Sequence, residues 1–216
     1  MSRGLVGGVF ALFSLANLAE AARQVEDAIS AGTLRPWLEA GYWILKTAVV
    51  GVFFFAVLRR REPLRPAREP IAFAACFLAI LGAVSLREPG PEASTAWLVA
   101  GEVVALASCG FLLASVLALG TCFGVLPEAR GLVMRGPYRL VRHPVYLGEL
   151  GACAGLVLGA PSAWNLTAAV VLLGAQLVRM RLEERALETE FPEYAAYAAH
   201  TPRLIPMPVR LRPLEV

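Results

Sequence analysis

Six apolar runs divide this chain, and several are close to the length that a helix needs to cross a bilayer, while the third and fifth are short enough that each, in isolation, also fits a buried core helix. They lie at approximately Leu5–Ala22, Trp37–Leu58, Ile71–Leu86, Ala96–Leu119, Val145–Ala160 and Trp164–Val178. A helix needs about 20 apolar residues to cross the hydrocarbon core. Only 17% of the 216 residues are charged, against about 25% in a typical soluble domain. The sequence therefore predicts an all-α, polytopic integral membrane protein with about six transmembrane helices.

The first run also fits a cleavable signal peptide, which leaves an alternative open. Arg3 precedes its apolar core, and Ala19-Glu-Ala21 follows it, in the order that signal peptidase substrates show. Cleavage would leave five transmembrane helices, with the orientation of the others unchanged.

Arginine is concentrated in alternate loops, and this asymmetry predicts the orientation. The arginine-rich segments carry Arg59, Arg60, Arg61, Arg65 and Arg68, then Arg130, Arg135, Arg139 and Arg142, and finally Arg179, Arg181, Arg185, Arg203, Arg210 and Arg212. The positive-inside rule places these segments, and both termini, in the cytosol. We expect a protein of the inner (plasma) membrane, in contact with membrane lipids. The net charge of +3 then reflects orientation, and no nucleic-acid partner is expected.

The chain divides into two regions by its polar content. Residues 1–119 are predicted to form N-terminal transmembrane helices on the lipid side. Residues 120–216 are predicted to form a helical hairpin with a cytosolic loop and tail, which carry most of the polar chemistry. Gly151, Gly155 and Gly159 recur every four residues, so one face of the fifth helix permits close backbone approach. We expect this face to pack within the chain, which predicts a monomer or a weak homo-oligomer.

The segment 135–148 is the strongest candidate for a functional site. It places four polar side chains between apolar runs: Tyr138, Arg139, Arg142 and His143. Pro144 suits the first position of a helix, and the amides of a helix start attract anions. Glu183 and Glu184 follow the sixth run, which is antiparallel to the fifth. Basic and acidic groups are therefore expected to meet at the cytosolic ends of the fifth and sixth helices, as binding of a zwitterionic ligand requires.

Simpler interpretations compete at several polar residues. Arg139 suits a membrane anchor, and Tyr138 and Tyr146 suit an interfacial aromatic belt. Lys46 lies within the second run, where it either lines a cavity or pairs with Glu102 or Glu20. Arg179 and Glu183 are spaced for an ion pair, and His200 is expected on the surface. The four cysteines are widely separated, which predicts no metal site and no disulfide.

Four motifs, taken in order, resemble the isoprenylcysteine carboxyl methyltransferase family, which includes phospholipid and thiol methyltransferases. They are Gly136-Pro-Tyr-Arg-Leu-Val-Arg-His-Pro-Val-Tyr-Leu-Gly148, Glu183-Glu184, Phe191-Pro-Glu-Tyr-Ala-Ala-Tyr197 and Thr201-Pro-Arg-Leu-Ile-Pro206. The resemblance covers about residues 120–208. It implies transfer of a methyl group from S-adenosylmethionine, by in-line displacement, to a lipophilic or membrane-associated acceptor. The acceptor classes it implies are a prenylcysteine-like carboxylate, a phospholipid amine and a thiol.

The resemblance also implies roles for individual residues. Arg142 and His143 are the catalytic candidates, and Arg142 and Arg179 would face an acidic acceptor. The cofactor-binding candidates are Tyr138, His143, Tyr146, Glu183, Glu184, Arg203 and Leu204, of which Arg203 and Leu204 belong to a tail that closes the pocket. Pro192 stands where the family usually has glycine, which puts the geometry of the tail in question.

Two other functions remain open. Sterol-type membrane reductases, which bind a nicotinamide cofactor, have a similar Arg-His-Pro signature, although they more often place Asn where Val145 stands. A non-catalytic lipid-binding membrane protein is the other alternative. Measuring whether the purified protein binds S-adenosylmethionine, a nicotinamide cofactor or neither distinguishes the methyltransferase, the reductase and the lipid-binding protein.

Overall fold

The computed structural model describes residues 3–64, 66–67, 69–87 and 94–206. Its α-helices are α1 (Arg3–Ala31), α2 (Leu34–Arg59), α3 (Pro70–Val84), α4 (Thr95–Leu119), α5 (Pro144–Gly159), α6 (Ala163–Glu190) and α7 (Tyr194–His200). Short 3-10 helices occupy Gly120–Cys122 and Gly136–Arg139. Within these residues no β-strand is present, so the predicted all-α class is confirmed.

The helices are compatible with a membrane protein. In the described part of the chain, α2, the segment Thr95–Cys122 that continues α4, and α6 are long and apolar enough to cross a bilayer. The helices α3 and α5 are apolar but shorter. The number of six spans stays a prediction. Four of the orienting arginines, Arg65, Arg68, Arg210 and Arg212, lie outside the described residues, as do the last two residues of the tail motif region, 207 and 208.

Proline and serine mark the helix starts where the sequence places them. Pro70 and Pro144 each occupy the first turn of their helix, where a missing N–H costs nothing. The Ser162 hydroxyl accepts a hydrogen bond from the backbone N–H of Asn165 at 3.1 Å and so caps α6. The short turn between α5 and α6 holds them antiparallel, and α6 ends at Glu190, before Pro192.

The glycine face of α5 packs against α4. A Cβ atom on Gly155 would lie 2.5 Å from the carbonyl oxygen of Gly101 and 2.6 Å from the backbone N of Ala105. A Cβ on Gly151 would lie 2.5 Å from Ser108 Oγ. The two helices therefore meet almost backbone to backbone, as small residues allow in membranes. The expected packing of this face within the chain is confirmed.

Three further contacts complete the bundle. The helix α1 packs along α2, α2 packs on α4, and α3 packs on α6. The helix α5 thus belongs mainly with α4, and α6 with α3. Between these two pairs, α5 and α6 approach each other over a smaller area.

The ion pairs considered for Lys46 are not formed among the described residues. Lys46 Nζ instead lies 4.1 Å from the centroid of the Trp43 ring, a cation–π contact on the same helix. Glu20 accepts hydrogen bonds from Arg23 and from Gln24 of its own helix. The physical reason is local: each charge finds a partner within one helical turn.

The loop between α4 and α5 is fastened to the end of α2 by a buried arginine. The backbone N of Arg61 donates to Thr121 O at 2.9 Å, and that of Leu64 donates to Ala129 O at 2.8 Å. Arg130 pairs with Glu128 and donates to the carbonyl of Arg61, and the two side chains are only 4% and 8% exposed. Arg130 is therefore buried within the fold and holds the loop to the end of α2.

This pair gives a first test. Arg130→Lys keeps the charge but loses the planar fork that reaches both the Arg61 carbonyl and Glu128. We expect it to lower the free energy of unfolding by about 1–3 kcal/mol, measured by thermal unfolding in detergent. Arg135→Lys, at an exposed position of the same loop, should leave the midpoint unchanged. Equal thermal unfolding midpoints for Arg130→Lys and Arg135→Lys would show that the Arg130 guanidinium contributes nothing to stability.

Candidate active site

The start of α5 is held by the tail of the chain. His143 occupies the position before the helix, with φ −124° and ψ 61°, and Pro144 begins the first turn. The backbone N of Arg142 donates to Pro202 O at 2.9 Å, and that of His143 donates to Arg203 O at 3.2 Å. A segment beyond α7 therefore runs alongside residues 142–143 and fixes their backbone.

Glu184 is the centre of a buried charge cluster. Its Oε1 atom lies 3.0 Å from His143 Nε2 and 3.3 Å from Arg142 Nη1. Arg203 donates from Nε to the same oxygen at 3.0 Å and from Nη2 to Oε2. Glu184 is 4% exposed and His143 is 3% exposed. The predicted meeting of the start of α5 with the end of α6 is confirmed.

This cluster explains why two glutamates stand four residues apart on α6. Like charges at this spacing destabilise an isolated helix, but Glu184 is neutralised by Arg142 from the loop and Arg203 from the tail. The hydrogen bond that Arg203 donates to Glu184, together with the negative charge of Glu184, raises the pKa of the Arg203 side chain. Glu188 remains on the exposed face of the helix.

Tyr146 joins α5 to α6 one turn deeper. Its hydroxyl donates to Glu183 Oε2 at 2.8 Å, and the Arg179 guanidinium carbon lies 4.9 Å from its ring centroid. Arg179 donates to Gln176 Oε1 at 2.8 Å and to Val125 O at 2.9 Å. The predicted ion pair between Arg179 and Glu183 is not formed, because the arginine turns toward the loop and the tyrosine ring instead.

Tyr138 is buried beside the helix α7. It sits in the 3-10 helix that Gly136 opens with φ +59°, a conformation that favours glycine. The Tyr197 hydroxyl donates to the Tyr138 carbonyl oxygen at 2.6 Å. Burial raises the pKa of Tyr197 to about 12 and that of Tyr138 well above its ordinary value. Both phenols are therefore neutral donors over the physiological range.

A small cleft with a cavity volume of about 40 Å³ opens between these elements. Its wall is formed by Leu119, Cys122, Phe123, Gly124, Leu126, Glu128, Tyr138, Arg142, His143, Val145, Tyr146, Arg179 and Glu183. Of the predicted residues, Tyr138, Arg142, His143, Tyr146 and Glu183 line the cleft. Glu184 and Arg203 lie behind it, and the half-buried Leu204 follows Arg203 outside the wall.

Comparison with known proteins bears on this region. Residues 93–193 match the family model described as phospholipid methyltransferase. That family belongs to the isoprenylcysteine carboxyl methyltransferase-like group of membrane methyltransferases. The resemblance stated from the four motifs is confirmed, and a methyltransferase is implied at the level of the family.

Two curated relatives share a shorter stretch. The cobalt-zinc-cadmium resistance protein CzcN of Cupriavidus metallidurans is 41% identical over 78 residues, and these cover 35% of each chain. The nickel-cobalt-cadmium resistance protein NccN of Alcaligenes xylosoxydans xylosoxydans is 36% identical over 78 residues, which cover 35% of this chain and 36% of that protein. The chain thus spans about a third of the length of these relatives.

Within the matched region, the cleft wall carries both arginine and glutamate side chains. The Nε atoms of Arg142 and Arg179 are buried and have no partner among the described residues. Both arginines line the cleft, so their guanidinium groups present positive charge to a ligand there. Glu128 and Glu183 supply carboxylates to the same wall.

Sequence reasoning missed Glu128 and Phe123 as parts of the wall. Both belong to the loop after α4, which the hydropathy pattern describes only as a polar connection. The one local signal is the close spacing of Glu128 and Arg130, which allows the ion pair that the structure shows.

Proposed function

We propose that this chain is an S-adenosylmethionine-dependent methyltransferase that acts on a lipophilic or membrane-associated acceptor. The observation that carries the proposal is the cleft whose wall brings the guanidinium groups of Arg142 and Arg179 together with the carboxylates of Glu128 and Glu183. The family match supports methyl transfer. The arginine asymmetry supports a cleft that opens to the cytosol from the inner membrane.

The residues of the cleft fit the proposed cofactor. Arg142 supplies a guanidinium group to the cleft wall for a carboxylate, and Glu183 supplies an acceptor for an ammonium or a ribose hydroxyl. Tyr138 and Tyr146 supply aromatic surface, and the ring of Tyr146 is held by its hydroxyl bond to Glu183. When bound, S-adenosylmethionine supplies a methyl group on a sulfonium, which is already activated toward a nucleophile.

The protein then has to align and partly desolvate the reactants. Alignment of two reactants can supply much of the catalysis without a metal or a covalent nucleophile. Glu184 holds Arg142 and His143 at the mouth of the cleft, and the backbone bonds to residues 202–203 close its rim. A carboxylate or thiolate acceptor is already nucleophilic, whereas an amine has to lose its proton first.

Calorimetric titration with S-adenosylhomocysteine tests this proposal. Wild type should bind, and Glu183→Gln should bind about tenfold to a hundredfold more weakly, since a hydrogen bond to a charged group contributes about 1.5–3 kcal/mol. Its stability should hardly change, because Glu183 is only partly buried and Tyr146 can still donate to the amide oxygen.

The matched control is Glu188→Gln, an exposed carboxylate on the same helix, which should bind like wild type. Heat from a nicotinamide dinucleotide but none from S-adenosylhomocysteine would favour a reductase. Absence of heat from either would leave a lipid-binding protein, and the methyltransferase proposal would be wrong.

A further inference from the structure

A row of three polar side chains joins α5 to α6 beside the cleft. Gln176, on α6, is 1% exposed. Its Nε2 atom donates to Glu149 Oε2 on α5, and its Oε1 atom accepts from Arg179 Nη1 at 2.8 Å. Arg179 lines the cleft, whereas Gln176 and Glu149 do not. These two residues therefore reach a ligand in the cleft only through Arg179.

The amide of Gln176 can face only one way in this row. A carboxylate is an acceptor and a guanidinium is a donor, so the amide nitrogen has to face Glu149 and the amide oxygen has to face Arg179. The reverse orientation would place two acceptors together at one end and two donors together at the other. Because a buried polar group without a partner is costly, Glu149 fixes the orientation of the amide, and the amide fixes the guanidinium.

Arg179 passes this constraint on to the loop after α4. Its Nη2 atom donates to the carbonyl oxygen of Val125 at 2.9 Å, and Cys76 Sγ, on α3, donates to the same oxygen at 3.3 Å. Gly124 and Leu126, on either side of Val125, line the cleft. One carbonyl thus joins the loop to both α3 and α6, so a displaced guanidinium would loosen this part of the wall.

The row also crosses the boundary between the two helix pairs. The helices α4 and α5 form one closely packed pair and α3 and α6 form the other, while α5 and α6 share a smaller contact area. The cleft takes wall residues from both pairs, with Tyr146 on α5 and Arg179 on α6. The hydrogen bond between Gln176 and Glu149 therefore helps to set the separation of these two walls.

We propose that Glu149 and Gln176 are positioning residues, which hold the guanidinium of Arg179 and the loop 123–128 in the arrangement that binds a ligand. They act through hydrogen bonds, which need an acceptor oxygen at position 149, and glutamine supplies this oxygen as well as glutamate does. The term positioning rests on the proposed function, because it presumes a ligand in the cleft. The hold on the loop stands on the geometry alone.

Two buried thiols report on the loop without any ligand. Cys76 is 6% exposed and bonds to Val125 O, so N-ethylmaleimide reaches it when the loop moves away by a local opening. Cys109 is 5% exposed on α4 and is the internal control, since a general loss of stability would expose it as well. Peptide mass spectrometry of the protein in detergent gives the two alkylation rates separately.

Loss of the amide should expose one thiol and not the other. Gln176→Leu should raise the alkylation rate of Cys76 about tenfold and leave that of Cys109 unchanged, since it removes a hydrogen bond to a charged group. Glu149→Leu should have the same effect. Glu149→Gln keeps the acceptor oxygen, so its Cys76 rate should stay within about threefold of wild type.

Two further comparisons separate a positioning role from general support. In an Arg179→Gln background, Gln176→Leu should cause no further increase at Cys76, because effects that act through one shared group are not additive. Thr167→Val, which removes an exposed hydroxyl from the same helix, should label like wild type. Should Gln176→Leu fail to fold, Gln176→Asn replaces it, since the shorter amide cannot span both of its neighbours.

Equal increases at Cys76 and Cys109 would mean that Gln176 supports the fold in general, and the proposal would be overturned. A Glu149→Gln variant that behaves like Glu149→Leu would overturn it as well. Calorimetry with S-adenosylhomocysteine on the same samples reports on the proposed function separately, and Gln176→Leu should bind it about tenfold more weakly than wild type. The expected labelling without any cofactor binding to wild type would contradict the methyltransferase alone. Cofactor binding with unchanged Cys76 labelling would contradict the positioning role alone.

Discussion

Replacing Glu184 with alanine is expected to lower the free energy of unfolding by about 3–5 kcal/mol, the range found when one partner of a buried ion pair is removed. Glu184 is 4% exposed and is the shared acceptor for Arg142, His143 and Arg203. Its loss leaves the guanidinium of Arg142, which is 16% exposed as a side chain, without its carboxylate. Thermal unfolding in detergent measures the effect.

The same substitution should also release the tail. Arg203 bonds to Glu184 through its side chain and to His143 through its backbone, so loss of the carboxylate removes half of this attachment. We expect limited proteolysis to cut after residue 200 faster in Glu184→Ala than in wild type. Glu188→Ala, one turn along on the exposed face, should match wild type in both measurements. If Glu184→Ala were as stable as wild type, the contacts of Glu184 with Arg142, His143 and Arg203 would not stabilise the fold.

The helices could be predicted from the sequence because hydropathy acts locally. Each apolar run lies within one observed helix to within a few residues, except that the third run extends past the end of α3 at Val84. Pro144 and Ser162 mark helix starts by chemistry that needs no tertiary partner. The glycine spacing on α5 likewise predicts a close helix contact, although only the structure identifies α4 as the partner.

Only the approximate location of the site could be predicted from the sequence. The short turn between α5 and α6 brings His143 and the two glutamates together, and this follows from the sequence. Which glutamate faces the cleft does not, because it depends on how α6 is rotated about its axis. Glu183 turns toward Tyr146 and Glu184 turns toward the tail. The burial of Arg130 is also a tertiary effect, since it depends on a loop that folds onto the end of α2.

The contact between α4 and α5 predicts a second large effect. Gly155→Ala should lower the free energy of unfolding by about 3 kcal/mol, at the upper end of the range for overpacking. The added Cβ would lie 2.5 Å from Gly101 O and 2.6 Å from the backbone N of Ala105. Both are backbone atoms, so no side-chain rotation relieves the clash and the two helices have to move apart. Thermal unfolding in detergent measures the loss.

The consequence for function follows from the position of the contact. The helix α5 begins at the candidate site, so a shift of its axis changes the bond between Tyr146 and Glu183, and affinity for S-adenosylhomocysteine should fall together with stability. Gly174→Ala is the matched control, because a Cβ there meets nothing within 4 Å and alanine is the better helix former. It should be at least as stable as wild type. Equal stability of the two variants would mean that α4 and α5 are not in backbone contact, and the position of the cleft between them would have to be revised.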